Sequence, residues 1–108
     1  MKKKKLLFVC TANLQRSPTA ESLFDGNEKY EVKSVGINGL SPKKITVHSM
    51  KWADIIFCME EIHKDYILKK FPEFKKKKIV ILDIQDTYFR NDLRLIGILT
   101  EKLDKYLR

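Results

Sequence analysis

Residues 5–18 read KLLFVCTANLQRSP, an apolar run that stops at a cysteine and resumes as structure only after an arginine, a serine and a proline. Lys5 to Val9 has the length and continuity of a strand buried on both faces, as in a parallel sheet. CTANLQR shows no periodicity and reads as a loop. Ser17-Pro18 then supplies a helix start, with serine at the N-cap and proline at the first helical position. Ala20, Leu23 and Phe24 continue one apolar face of that helix until Gly26-Asn27 ends it.

Working outward, the same alternation repeats. Glu31 to Val35 reads as a second strand, stopped by Gly36, and Ser41-Pro42 opens a short stretch with a helix expected over about 46–52. Asp54 to Met59 (DIIFCM) is the clearest buried strand. A helix follows from about Glu60, with Ile62, Tyr66 and Ile67 inward, and it must stop near Pro72. Lys78 to Leu82 gives a fourth strand. The loop DIQDTYFRN leads into a last helix carrying Leu95, Ile96, Leu99, Leu103 and Leu107 at helical spacing. Strands alternating with helices imply right-handed crossovers and a covered parallel sheet. The expected fold is α/β in three layers: a four-stranded parallel sheet with helices on both faces, in the flavodoxin-like order 2-1-3-4. With 108 residues, no repeat and no linker, a single domain over 1–108 is expected.

An apolar content of 44% is enough to form a core. The 22 Lys and Arg against 14 Asp and Glu give a net charge of +8, which suits an anionic partner without choosing among phosphate, nucleic acid and a lipid surface. The runs Lys2–Lys5 and Lys75–Lys78 both precede strands, so they belong at the sheet edge opposite Cys10. A five-residue strand spans about 17 Å, beyond the Debye length of about 8 Å at physiological salt. These lysines are expected to be solvated edge charge, with a nucleic-acid or acidic-partner surface as the less favoured alternative. Cys10 and Cys58 are too few for a disulfide framework, and no Cys/His spacing suggests zinc, so a reducing cytoplasm is the simplest setting. The N-terminal lysines followed by Leu6–Val9 imitate a secretion signal, but the apolar stretch is too short for one and no run reaches transmembrane length.

The chemistry lies in the loop. Ligands of open parallel sheets bind beyond the carboxyl ends of the strands, where Cys10 falls. A loop wrapped there aims backbone N–H groups at one point, and the helix behind it adds the positive end of its dipole. Arg16 contributes a planar fork that grips two oxygens of a tetrahedral anion. The residues Thr11, Ala12, Asn13, Leu14, Gln15, Arg16 and Ser17 thus form a candidate phosphate cradle with a sulfur at its floor. Helix N-termini and cations favour the thiolate, the reactive form of cysteine. The plainer alternative makes Cys10 a buried small hydrophobe and Arg16 a surface charge. Phosphoester cleavage also needs a proton donor opposite the sulfur. The loop after the fourth strand emerges at the same edge and carries Asp83 and Asp86.

Cys10, Asn13, Arg16, Ser17 and Pro18 together resemble the C-x-x-N-x-x-R-S-P signature of the low-molecular-weight protein tyrosine phosphatases. The likeness continues through Thr19-Ala20-Glu21, Ser34-Val35-Gly36 and Trp52 to Glu60, and ends in Asp86-Thr87-Tyr88, similar to the family's D-P-Y. The nearest likeness is to a short branch of predicted phosphatases. The resemblance implies Cys10 as nucleophile, Arg16 and the loop amides on the phosphoryl oxygens, Ser17 bonded to the thiolate, and Asn13 and Ser34 bracing the loop. It favours Asp86 over Asp83 as the acid and suggests Tyr88 and Phe89 as an aromatic wall at the entrance, with core packing as the alternative for Phe89. No cofactor or metal is called for. The expected partners are a phosphotyrosine or aryl phosphate substrate and inorganic phosphate or other oxyanions.

Three departures stand out: Thr87 replaces the stiffening proline, Gln15 replaces a second loop cysteine, and the segment Gly36 to Ala53 is short. Leu14 stands where phosphoarginine-specific members carry threonine, which favours aryl esters. Two other activities remain open: an arsenate reductase, which needs further cysteines, and a non-catalytic phosphate-binding module. Cys58 and Trp52 are expected in the core, and His48 and His63 receive no role.

Overall fold

A computed structural model describes residues 3–107; Met1, Lys2 and the last residue lie outside that range, and with Lys2 goes the first member of the N-terminal lysine run. Four strands, β1 (Lys4–Cys10), β2 (Tyr30–Gly36), β3 (Ile55–Cys58) and β4 (Lys78–Ile81), form one parallel sheet in the order β2-β1-β3-β4. Between and after them run α1 (Arg16–Ser22), α2 (Val47–Trp52), α3 (Glu61–Lys70) and α4 (Leu93–Leu107), with a single 3-10 turn at Pro72–Phe74. The architecture and strand order are those expected.

Alternation along the strands sorts the core into two layers. Leu6, Phe8 and Cys10 of β1 and Ile55 and Phe57 of β3 face Ala20 of α1 and Leu95, Leu99 and Leu103 of α4. Leu7, Val9, Ile56 and Cys58 face the other way, against Met50 of α2 and Ile67 of α3. Cys10 and Cys58 therefore lie on opposite faces of the sheet. Burial pushes the Cys58 thiol up to about 12 despite the opposing pull of Lys64, which makes it an inert core residue.

Several local expectations change. Helix α1 begins at Arg16 with Gln15 at the N-cap, two residues earlier than the sequence suggested, because the Ser17 hydroxyl is drawn under the loop instead of capping. Pro18 is still tolerated, since first-turn N–H groups have no helical acceptor. The helix ends at Ser22, and Leu23 and Phe24 pack on the core from a turn closed by Gly26 at φ 72. In α3 the inward positions are His63 and Ile67, while Ile62 is exposed. Trp52 is half-buried, with Lys33 Nζ 4.6 Å over its ring. Ile98, with Leu107, joins the core where Ile96 was expected.

The ends of the strands position the site. Cys10 pairs with Gly36 at one end of the sheet, while Lys4, Lys5 and Lys78 sit at the other. Ile37 N–H donates to the Cys10 carbonyl (3.0 Å) and Asn38 N–H to that of Thr11 (2.8 Å), so the chain leaving β2 wraps against the loop leaving β1. Gly36 makes this approach possible: a Cβ there would stand 2.8 Å from the Thr11 carbonyl oxygen and 2.9 Å from the Ala12 carbonyl carbon. Among the described residues no helix is long and apolar enough to cross a membrane. Because the clash is with backbone, Gly36→Ala is expected to destabilise the protein by about 1–3 kcal/mol, read as a lower urea midpoint at unchanged slope.

Candidate functional site

Two polar nodes hold the loop of residues 11–15, one on each side of Cys10. The first is Asn13. It adopts φ 57, a left-handed conformation that asparagine tolerates better than most residues. That bend turns its N–H onto Cys10 Sγ at 3.2 Å. Its buried amide donates to Ser17 Oγ (2.9 Å) and to Ser34 Oγ (3.0 Å). Since Ser17 Oγ accepts from Asn13, its own proton can go to Cys10 Sγ, 2.9 Å away, with the Val35 carbonyl a longer alternative at 3.4 Å. Ser34 sends its proton outward to Glu21 Oε1 at 2.5 Å, and Lys43 closes the chain on the same oxygen. The polarity of the network thus aims two donors at the sulfur.

The second node is Arg16, a charged side chain only 2% exposed. A buried guanidinium survives only with partners. Nη1 donates to Glu60 Oε1 just beyond β3 and to the Ile84 carbonyl (2.7 Å) beyond β4. With Nη1 committed there, Nε and Nη2 remain on the side that lines the cleft. Nε lies 3.7 Å from Asp86 Oδ1, and Nη2 only grazes Thr11 Oγ1 at 3.5 Å. Cys10, Ala12, Leu14, Gln15, Arg16 and Asp86 line one cleft of about 220 Å³. Among the described residues, no backbone carbonyl accepts from the N–H groups of Ala12, Leu14 or Gln15, so they are available to an external acceptor.

Cys10, Arg16 and Asp86 therefore come together, as do Thr11 to Ser17 and Ser34 around them. Asp83 does not: it lines clefts with Lys102 and away from the sulfur. The expected aromatic wall also changes. Tyr88 packs on the core beneath Arg94 and lines a different cleft, because its ring finds apolar cover beside Ile98. Phe89 stays 77% exposed, so it does not join the core.

Glu60 and His63 were missed as site residues. His63 is fully buried; its Nδ1 accepts the Glu60 N–H (3.0 Å), which leaves the proton on Nε2 to donate to Thr11 Oγ1 (2.9 Å). Both residues follow the carboxyl end of β3, and that placement was the available signal. Burial first, and then the Arg16 charge, lower the His63 pKa to about 4, against the opposing pull of Glu60 and Asp86. Folding thus favours the neutral ring. The unfolded chain binds this proton near pH 6.5 and the folded one only near pH 4, so His63 leaves stability level above pH 6.5 and removes up to about 3 kcal/mol as pH falls from 6.5 to 4. Urea midpoints should drop across that window, and His63→Gln should flatten the drop.

No protein-family model matches the chain. A curated relative, the protein-arginine-phosphatase of Geobacillus stearothermophilus, is 30% identical over 71% of this chain and 68% of its own length. The solved YwlE arginine phosphatase from the same organism superposes with a TM-score of 0.75 at 25% identity, covering 96% of this chain and 92% of that one. The fold is shared with the tyrosine phosphatase Wzb from Escherichia coli K30 in complex with phosphate (TM-score 0.78, 21% identity, 97% and 96% covered). It is also shared with SP-PTP, the low-molecular-weight protein tyrosine phosphatase of Streptococcus pyogenes (TM-score 0.81, 18% identity, 96% and 91% covered). With the signature residues Cys10 and Arg16 lining one cleft and a relative at this identity, the chain belongs to the low-molecular-weight protein tyrosine phosphatase family and is a cysteine-dependent phosphatase.

Proposed function

We propose that residues 1–108 form one phosphomonoesterase domain that acts on phosphotyrosine or related aryl phosphates, with Cys10 as nucleophile, Arg16 as phosphoryl clamp and Asp86 as acid and base. One arrangement supports these roles above all: Cys10, Arg16 and Asp86 line a single cleft, and Asp83 lies outside it.

The steps follow from that arrangement. Nε and Nη2 of Arg16, with the Ala12, Leu14 and Gln15 amides, take the non-bridging oxygens and hold phosphorus over Sγ. Sγ attacks, the S–P bond forms and the P–O bond to the leaving group breaks, while Asp86 gives its proton to the departing oxygen. Asp86, now a carboxylate, takes a proton from water as that water attacks phosphorus. The S–P bond then breaks and inorganic phosphate leaves. The Ser17 hydroxyl and Asn13 N–H stabilise sulfur when it departs as thiolate.

Leu14, 53% exposed on the rim, and Phe89 beside the Arg90 N–H that meets Gln15 offer apolar contact to an aryl ring. Phosphoarginine is the second reading, because the relative at 30% identity is named for it. The separated cysteines disfavour a thiol-relay reductase, since Cys58 cannot reach Cys10 through the sheet. The substrate is taken to be a phosphorylated protein in the reducing cytoplasm, where two free thiols are at home.

Hydrolysis of phenyl phosphate and 4-nitrophenyl phosphate tests the assignment. Cys10→Ser should abolish turnover of both. Asp86→Ala should lose roughly 10²–10⁴-fold on phenyl phosphate and far less on the nitrophenyl ester, whose leaving group needs little protonation. Equal losses would remove Asp86 as the acid, and phosphate binding by the wild type without turnover would favour a binding module. A higher kcat/KM on a phosphotyrosine peptide than on its phosphoarginine counterpart is expected; the reverse order would assign the arginine substrate.

A further inference from the structure

Asp86 sits in the exposed stretch Gln85–Thr87, without a proline to stiffen it, yet the chain is anchored on both sides. Upstream, Ile84 is buried; its N–H donates to the Met59 carbonyl (2.7 Å), and its own carbonyl receives Arg16. Downstream, beyond Tyr88 on the core, two side chains at the start of α1 hold the backbone. Gln15 Oε1 accepts the Arg90 N–H, and Thr19 Oγ1 accepts the Asn91 N–H at 2.9 Å. Thr19 is fully buried and spends its one proton on the Gln15 carbonyl (2.7 Å), which fixes the direction of the lone pair offered to Asn91. Asn91 is itself left-handed at φ 63, a conformation that surroundings must hold.

We infer that Gln15 and Thr19 are positioning residues for the acid: they clamp the 90–91 turn to the phosphate loop and so set the distance from Asp86 to the leaving oxygen. This rests on Asp86 being the acid. The nucleophile loop grips the acid loop at both ends, through Arg16 upstream and through Gln15 and Thr19 downstream. A threonine at position 87 is workable because this clamp does what a ring at that position would do. Loss of the downstream anchor leaves the cradle intact and lets the carboxyl wander, and a misplacement of about 1 Å can cost on the order of 10²-fold in rate.

The test is leaving-group dependence in the whole protein. Thr19→Val keeps shape and removes the acceptor; it should lower kcat on phenyl phosphate by roughly tenfold or more while changing kcat on 4-nitrophenyl phosphate by less than about threefold, with KM little moved. Thr19→Ser should restore most of the loss, which a mere packing role would not predict. Gln15→Met, at a partly exposed side chain that folding tolerates, should shift the ratio of the two esters in the same direction. In an Asp86→Ala background neither change should alter that ratio further. If Asp86→Ala depresses the ratio and Thr19→Val and Gln15→Met leave it at the wild-type value, the clamp is refuted alone. A wild-type ratio in Asp86→Ala would instead remove the acid assignment and the clamp together.

Discussion

A buried guanidinium organises this molecule. Arg16 leaves water almost completely, and the cost of stripping a charge, several kcal/mol, is met only where acceptors converge on it. Those acceptors come from different parts of the chain: Glu60 after β3 and the Ile84 carbonyl after β4. Three strand ends are thereby tied at one point. The same tie uses up Nη1 and turns the rest of the fork into the cleft, so the contact that closes the fold also selects which hydrogen-bond donors meet a ligand.

Asn13 plays the matching role toward β2. Its left-handed backbone and two amide protons link the floor of the loop to Ser34, so the fourth strand end joins the same cradle. Hydrogen bonds in such a chain polarise one another, and here the nearest acceptor sets the direction of each hydroxyl proton. Asn13 donates to both serines; Ser17 then points at sulfur and Ser34 at Glu21. A protein that only packed Cys10 as a small apolar group would have no use for two donors aimed at it.

Much of this was legible in the sequence because it depends on local pattern. Strand-length apolar runs marked β1, β3 and β4, Glu31 to Val35 ahead of Gly36 marked β2, and the break between Val9 and Ser17 located the loop. Asp86 could be preferred to Asp83 only through resemblance; the loop's backbone, with Asp83 itself left-handed at φ 57, is what sends the two carboxylates to different clefts. Glu60 and His63 were hidden because their roles depend on partners 44 and 52 residues away. Periodicity put Ile62 inward in α3, but the need to satisfy Thr11 and the Glu60 N–H brings His63 there instead, a case of polar satisfaction overriding apolar pattern. Ser17 failed as an N-cap for a similar reason: its hydroxyl had a stronger claim beneath the loop.

Burial is distributed between the two halves of the site as the proposed chemistry requires. The proposed roles need sulfur and guanidinium fixed, since attack and charge stabilisation depend on sub-ångström placement, and both are nearly sealed, at the end of β1 and the start of α1. In the proposed mechanism the Asp86 carboxyl serves two positions in turn, first at the leaving oxygen and then at the attacking water. Asp86 is 60% exposed on a stretch with no backbone ladder of its own. Such a segment belongs to the low-stability end of a native structure, where small excursions cost little. Held at Ile84 and again at Arg90 and Asn91, it can pivot between those positions without leaving the cleft, whereas a cradle with the same freedom would lose its grip on the phosphoryl group.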